Sequence, residues 1–154
     1  MTTELRTTPE IRSATREDLE PISVLLRASG LPLDGVADCL DGFLVAEHDG
    51  QIVGVVGVEH CCREYGLLRS TAVAPEWRGH SVGRRLVERA IAESELNGSK
   101  ALYLLTMTAE HYFPSFGFAT TTRDAVPEEI RATAEFCSVC PASSTVMALE
   151  LGRH

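Results

Sequence analysis

The feature that most constrains the fold is a strand–helix–strand pattern between residues 66 and 107. Residues 66–73 (GLLRSTAV) predict a strand closed by Pro75. A helix is predicted over 81–96, where apolar residues recur at helical spacing. Residues 101–107 (ALYLLTM) form a nearly continuous apolar run, as is typical of a strand buried on both faces. This order predicts two parallel strands joined by a right-handed crossover.

Shorter elements are predicted around this unit. Residues 43–48 and 51–58 read as a hairpin, because Asp49-Gly50 between them is a strong turn signal. Thr15-Arg-Glu-Asp18 resembles a capping box ahead of an apolar-periodic helix. The remaining predictions are strands over 11–14 and 144–151 and short helices over 34–40, 109–116 and 127–135. Together these elements predict an α/β fold with a mixed sheet, in which residues 1–9 are a flexible tail and 10–154 a single domain.

The charge balance excludes several classes of partner. The chain has 14 Lys+Arg and 22 Asp+Glu, a net charge of −8, and its single lysine is Lys100. A broad basic surface for nucleic acid is therefore absent. No apolar run reaches the ~18–20 residues of a membrane helix, and the N-terminus has no signal-peptide pattern. We expect a cytoplasmic protein that contacts neither nucleic acid nor membrane, and any anionic ligand must be held locally.

The five cysteines leave two interpretations. An odd count without a signal peptide favours reduced thiols that serve as small buried residues. Cys137 and Cys140 have C-x-x-C spacing, which could be half of a metal site. Cys61 and Cys62 are poor further ligands, since neighbouring strand side chains face opposite ways. We expect no metal, although a soft metal or arsenite bound by these thiols remains an alternative.

Residues 73–85 (VAPEWRGHSVGRR) link the predicted strand to the long helix. A helix N-terminus presents unbonded backbone N–H groups and the positive end of the helix dipole. Gly79 and Gly83 would let main chain approach a bulky anion. Residues 78–89 hold four arginines and one glutamate, a local charge of +3. The loop therefore predicts a phosphate-bearing ligand, with a solvated, arginine-rich helix start as the alternative. Neither a P-loop nor a G-x-G-x-x-G motif is present.

The segment Arg78-Gly-His-Ser-Val-Gly83 resembles the acetyl-CoA loop R/Q-x-x-G-x-G/A of the GNAT (Gcn5-related) N-acetyltransferases. Val73-x-Pro75 and Phe116-Gly117-Phe118 also match the family pattern, and the resemblance spans about residues 10–151. Within the family the chain is most similar to the small N-acetyltransferases of arsenic-resistance operons. Three stretches carry this closer resemblance: Leu67-Leu-Arg-Ser70, Tyr103-Leu-Leu-Thr106 and Cys140-Pro-Ala-Ser143.

The resemblance implies a mixed sheet whose central parallel strands splay apart, with helices on its faces. Acetyl-CoA would lie with its pantetheine between strands 66–73 and 101–107 and its pyrophosphate on the loop amides. One backbone N–H of the first strand would polarise the thioester carbonyl. The implied cofactor-binding residues are Thr71, Ala72, Val73, Arg78, Gly79, His80, Ser81, Val82, Gly83, Arg84 and Phe113.

Two positions depart from the family pattern. Ser81 stands where glycine is usual: it can cap the helix or bind phosphate, but a positive φ there would cost ~1–2 kcal/mol. Phe113 stands where many members have the tyrosine that protonates the leaving thiolate. Tyr112 is about 100° round the helix and is expected to be a packing residue. His111 and Thr108 are weak substitutes, so the general acid is left unassigned.

Two side chains are predicted to act on the acceptor amine. Glu59 follows a buried apolar run, where partial desolvation could make its carboxylate a general base. The alternatives are a merely solvated Glu59, or Glu64 as the base. Arg69 is expected to share a strand face with Leu67, Thr71 and Val73 and to hold an acceptor carboxylate through two hydrogen bonds. A surface or helix-paired arginine is the alternative, and Thr106 is the second predicted substrate-binding residue.

Together these features predict an acetyl-CoA-dependent N-acetyltransferase acting on the amino group of a small amino acid or a similar compound. The closer resemblance implies an acceptor that bears arsenic or a phosphinate. A non-catalytic acyl-CoA sensor is the alternative that the missing tyrosine and Ser81 favour, beside the thiol metal site. The expected partner is a small-molecule amine, and a homodimer is compatible with the sequence.

Overall fold

The computed structural model describes residues 8–60, 64–106, 112–133 and 144–151. These residues form one seven-stranded sheet with the order β1-β2-β3-β4-β5-β7-β6. The strands are β1 (Glu10–Ser13), β2 (Phe43–His48), β3 (Gln51–His60), β4 (Tyr65–Val73), β5 (Ala101–Thr106), β6 (Ala119–Thr121) and β7 (Thr145–Glu150). The α-helices are α1 (Leu19–Ala28), α2 (Val82–Leu96) and α3 (Glu128–Arg131).

The sheet is mixed, as predicted. β1 pairs with β2, β2 with β3, and β7 with both β5 and β6, all antiparallel, whereas β4 and β5 are parallel. The predicted strand–helix–strand unit is confirmed, since α2 connects two adjacent parallel strands. The apolar run in β5 is explained by its central position in the sheet.

The two central parallel strands pair over only part of their length. Their register is Tyr65↔Ala101, Gly66↔Leu102 and Leu67↔Tyr103. Both strands continue, to Val73 and Thr106 respectively, with no further pair between them in the described parts of the chain. The pairing of the two strands in the described parts of the chain therefore ends at Leu67 and Tyr103.

Contacts divide the chain into two compact units. The first comprises Met1–Gly57 and Ser70–Ala90, and the second Val58–Arg69 and Ile91–His154. In the first, the core is built from the apolar faces of α1 and α2 and from β2 and β3; its fully buried side chains include Ile22, Leu26, Phe43, Val45, Val55 and Leu86. In the second, Leu67, Val126, Ile130 and Val146 form a buried cluster.

The hairpin and the start of α1 follow their local sequence signals. Asp49 and Gly50 have φ of 52° and 78°, the left-handed values that a tight primed hairpin turn requires. The capping box is present with Asp18 as its acidic residue. Asp18 is buried and accepts hydrogen bonds from the Arg12 guanidinium at 2.8 and 3.1 Å, and Arg12 also binds Glu47 on β2 at 2.7 Å. The hydrogen bonds from Arg12 are the largest cause of a lowered Asp18 pKa.

Several predictions of short elements were wrong. Residues 34–40 form turns rather than a helix, with a 3-10 turn at Leu40–Gly42, and Gly35 has a left-handed φ of 79°. Of the helix predicted over 127–135, residues 127–133 are described, and within them α3 covers only Glu128–Arg131. Of the helix predicted over 109–116, the described part is a 3-10 turn at Phe113–Phe116. The three-residue strand β6 was not predicted, because its Thr-rich sequence has no apolar period.

Candidate functional site

The structure brings Glu59 and Arg69 together. Glu59 lies near the end of β3 and Arg69 on β4, and Arg69 Nη1 donates a hydrogen bond to Glu59 Oε1 at 3.2 Å. The Arg69 side chain is 1% exposed and the Glu59 side chain 18%. A surface arginine and a merely solvated Glu59 are therefore both excluded. Glu64, the weaker candidate base, lies instead in an exposed ion pair with Lys100 at 3.4 Å.

The position of Arg69 follows from the strand that carries it. β4 is regular up to Arg69, so Tyr65, Leu67 and Arg69 share one face. Leu67 packs in the buried cluster of the second unit, which fixes the strand face beside Arg69. A guanidinium buried at this depth requires a partner charge, and Glu59 supplies it.

The predicted face of Leu67, Arg69, Thr71 and Val73 needs a correction. Ser70 has φ of 60°, in the left-handed region, within β4. Side chains alternate only while each residue is extended, so a left-handed residue interrupts the period, as in a β-bulge. The alternation that placed Arg69 and Thr71 on one face therefore does not hold across Ser70. The bend also lies beyond the last residue of β4 that pairs with β5.

The loop between β4 and α2 is exposed and partly left-handed. A 3-10 turn at Pro75–Trp77 leads to Arg78, Gly79, His80 and Ser81, all four of them exposed. Gly79 has φ of 83° and Ser81 has φ of 65°. Ser81 is therefore strained as the sequence suggested it could be, and its carbonyl accepts the Arg85 N–H in the first turn of α2 at 3.0 Å. No atom of the described residues lies within 4 Å of the point where a Cβ on Gly79 would be, so the loop is open to a bulky ligand.

A glycine that sequence reasoning missed sets the position of α2. A Cβ on Gly54 of β3 would lie 2.9 Å from side-chain atoms of both Val82 and Leu86. Glycine at this position lets the first turn of α2 pack directly on β3, which holds the helix N-terminus in place. The only signal in the sequence is a glycine inside an otherwise apolar strand.

The arginines of this region have distinct roles. Arg78 Nε donates to the carbonyl of Val73 at 3.2 Å, and Arg85 Nη1 donates to the carbonyl of Pro9 at 3.1 Å. Arg84 forms an exposed ion pair with Glu88 one helical turn on, at 3.6 Å. Arg85 thus ties α2 to the segment before β1, while Arg78 and Arg84 are on the surface beside the loop.

The aromatic residues near 113 pack on one another. Phe113 is 8% exposed, and its ring lies 5.2 Å from Tyr112 and 5.9 Å from Phe118. Tyr112 is 38% exposed and also contacts Phe116 at 5.3 Å, so its ring covers the cluster at the surface. Thr106 is at the end of β5, opposite Thr145 of β7. His111 and Thr108 lie outside the described residues.

The described residues contain no group of three or more side chains that could hold a metal ion. Cys39 is half-buried and not part of a disulfide. The four other cysteines, on which the alternative metal site depends, lie outside the described residues.

The acetyltransferase (GNAT) domain family matches residues 40–120, which is more than half of the 154 residues. The chain belongs to the GNAT acetyltransferase family. The match includes the hairpin, Glu59, Arg69, the loop and α2.

Among individual proteins, the chain is 33% identical over 129 residues to the amino-acid acetyltransferase of Ralstonia nicotianae, covering 79% of this chain and 29% of that protein. It thus spans about 29% of the length of this relative. The fold is similar to N-acetylglutamate synthase from Neisseria gonorrhoeae complexed with coenzyme A and N-acetyl-glutamate, with TM-score 0.80, 24% identity and coverage of 94% of this chain and 35% of that one. It is also similar to the Escherichia coli N-acetyltransferase YhbS in complex with CoA, with TM-score 0.63, 25% identity and coverage of 73% and 69%.

Proposed function

We propose that this protein transfers the acetyl group of acetyl-CoA to the amino group of a small amino acid or a similar compound. The observation that carries the proposal is the Glu59–Arg69 pair in a GNAT domain. The pair combines a candidate proton acceptor with a candidate carboxylate anchor at a contact distance of 3.2 Å. The amino-acid acetyltransferase to which the chain is 33% identical supports an acceptor of this class.

The exposed loop suits the cofactor. Residues 79–84 combine left-handed backbone at Gly79 and Ser81 with the N-terminus of a 15-residue helix. Such a terminus binds phosphate through its N–H groups and dipole. Arg78 and Arg84, at the surface, supply positive charge. On this proposal the extended pantetheine pairs with the backbone of Thr71–Val73.

The chemistry is assigned to the chain's own groups as follows. Glu59 removes a proton from the acceptor ammonium, which frees the nitrogen lone pair. The nitrogen forms a bond to the thioester carbonyl carbon while a backbone N–H of β4 stabilises the oxygen. The carbon–sulfur bond then breaks, and the thiolate leaves with the electron pair. The nitrogen gives up its second proton to solvent as the amide forms, and the thiolate takes a proton from solvent, since Phe113 has none to give.

Arg69 is assigned to the acceptor carboxylate. Its guanidinium, which donates to Glu59, has the forked N–H geometry that matches the two oxygens of a carboxylate. A carboxylate bound to the same guanidinium would hold the α-amino group close to Glu59. An amino acid carries both a carboxylate and an amino group. A general base in contact with a carboxylate-binding arginine therefore suits an amino acid as the acceptor.

The finer substrate class is an amino acid bearing arsenic or a phosphinate group. The stretches Leu67-Leu-Arg-Ser70 and Tyr103-Leu-Leu-Thr106, which carry that resemblance, contain Arg69 and Thr106. A phosphinate or arsenic oxyanion offers oxygens that an arginine binds as it binds a carboxylate. On this proposal we expect a higher kcat/KM for an amino acid bearing a phosphinate group than for glutamate, an amino acid of similar chain length.

The test compares amino acids with the amines made by removing their carboxylate. In the wild-type protein we expect kcat/KM to fall by about 100-fold without the carboxylate. In Arg69→Lys the ratio of kcat/KM for the amino acid to kcat/KM for its amine should fall about tenfold, because a lysine does not form the paired hydrogen bonds. Glu59→Gln should lower kcat by about 10²–10⁴-fold with the KM for acetyl-CoA unchanged.

Removing one partner of a buried ion pair can prevent folding, so circular dichroism of each variant is the control. Glu64→Gln, in the exposed pair with Lys100, is the matched carboxylate variant and should keep full activity. The acceptor assignment is wrong if Arg69→Lys affects amino acids and their amines equally. The function is wrong if the folded wild type releases no thiol from acetyl-CoA with any of the amines.

A further inference from the structure

A cluster of three rings lies at the loop that the proposed function assigns to the cofactor. Trp77, the single tryptophan of the chain, is the last residue of the 3-10 turn before Arg78. Its ring centroid is 4.7 Å from that of His48 on β2, with the rings tilted by 58°, and 5.4 Å from that of His80 in the loop, with the rings edge to face. This ring cluster therefore joins the end of the β2–β3 hairpin to the middle of the loop.

Backbone hydrogen bonds also connect Trp77 to the residues before and after it. The Trp77 N–H donates to the carbonyl of Ala74 at 2.9 Å, and the His80 N–H donates to the carbonyl of Trp77 at 3.3 Å. Trp77 is half-buried, while the loop residues 78–81 are exposed. Trp77 thus attaches the exposed, partly left-handed loop to the packed part of the first unit.

We propose that the ring cluster of His48, Trp77 and His80 positions the loop for the phosphates of the cofactor. This inference rests on the proposed function, because it assigns a role within the same site. Backbone N–H groups bind phosphate well only when they are held in place beforehand, since ordering a loop during binding costs conformational entropy. The rings provide that order without contacting the thioester.

A positioning role has a signature that a merely structural role lacks. Two of the three rings, Trp77 and His80, lie directly before or within the loop assigned to the pyrophosphate. S-acetylpantetheine carries the thioester but no pyrophosphate, so its use should not depend on the ring cluster. Loss of the ring cluster should therefore raise the KM for acetyl-CoA and leave both kcat and the KM for S-acetylpantetheine unchanged.

The experiment measures CoA binding by calorimetry in Trp77→Ala, Trp77→Phe and His48→Ala. Trp77→Ala removes both ring contacts and should weaken CoA binding about tenfold. Trp77→Phe keeps an aromatic ring and should stay within about threefold of the wild type. His48→Ala changes a residue outside the loop and should weaken binding about threefold, with a shift in the emission of Trp77.

Val24→Ala is the matched control, because Val24 is 52% exposed on α1 in the same unit. Equal CoA affinity in the wild type, Trp77→Ala and His48→Ala would overturn this inference and leave the proposed function standing. A wild type that does not bind CoA would overturn both. If Trp77→Ala does not fold, His48→Ala decides alone: unchanged CoA affinity refutes the proposal.

Discussion

At the scale of single residues, backbone conformation decides how the site is built. Ser70 and Ser81 both have left-handed φ, of 60° and 65°, a region that serine rarely occupies. Ser70 lies between Arg69 and the Thr71–Val73 segment, and Ser81 lies directly before α2. One strained serine thus directly precedes the part of the chain proposed for the cofactor and the other lies within it, and strain of this kind is commonly found at functional sites.

Ser81→Gly should stabilise the protein. Glycine removes a strain of ~1–2 kcal/mol but adds ~0.4–1 kcal/mol of unfolded-state entropy, so we expect a net gain of about 0.5–1 kcal/mol in the free energy of unfolding. The measurement is urea denaturation. Ser23→Gly, in the right-handed backbone of α1, is the control and should cost about 0.5 kcal/mol. Equal destabilisation of Ser81→Gly and Ser23→Gly would show that the backbone at Ser81 is not strained.

At the scale of elements, the start of α1 is tied to two strands by one ion-pair network. Arg12 of β1 binds Asp18 ahead of α1 and Glu47 of β2. Asp18 also accepts the Thr15 N–H at 2.8 Å, which closes the capping box. The sequence indicated the capping box, since it depends on residues three apart. It gave no sign of Arg12 and Glu47, because they are 35 residues apart and meet only through the sheet register.

Asp18→Asn should lower stability in a pH-dependent way. The hydrogen bonds from Arg12 lower the Asp18 pKa, so its contribution is present at neutral pH and is lost as pH falls through that lowered pKa. Removing the charge should cost about 1–3 kcal/mol at pH 7. The difference between wild type and variant should narrow below about pH 4.

Urea denaturation at several pH values measures this difference. Glu20→Gln, an exposed carboxylate in the first turn of α1, should change stability by less than about 0.5 kcal/mol at every pH. A constant difference between wild type and Asp18→Asn from pH 7 to pH 3 would show that the Asp18 charge contributes nothing.

At the scale of the whole molecule, the fold and family membership define the chain as a GNAT domain. The chain spans about 29% of the length of the amino-acid acetyltransferase it is 33% identical to. It nevertheless forms a seven-stranded sheet, and it also contains the loop, α2 and the Glu59–Arg69 pair. None of the helices in the described ranges is long and apolar enough to cross a membrane. Its charge of −8 confines favourable contacts with an anion to local groups such as the loop.

The 154-residue chain should therefore bind CoA without any other polypeptide. At a free CoA concentration 100-fold above the dissociation constant, binding adds about 2.7 kcal/mol of stability. For a chain of this size the melting temperature should rise by ~5–10 °C. Calorimetry should give one CoA per chain. No rise in melting temperature at millimolar CoA would contradict the assignment of the loop.

Local patterns predicted much of the fold. The hairpin bounds, the capping box and the β4–α2–β5 unit depend on turn residues and on periods of two or 3.6 residues, which the sequence displays directly. The turns at 34–40 were mistaken for a helix because an apolar pattern there outweighed Gly35, whose left-handed φ ends any helix. β6 is held by pairing with β7 rather than by its own sequence.

The sequence by itself determined the kinds of residue that the site contains: an acidic residue after a buried strand, an arginine on the next strand and a glycine-containing loop at a helix start. Only the tertiary structure decided that Glu59 and Arg69 touch, that Ser70 interrupts the strand face, and that the His48 ring contacts the Trp77 ring. The reason is physical. Periodicity and turn chemistry act over a few neighbouring residues, whereas contacts between distant residues depend on strand register and on how the chain bends between them.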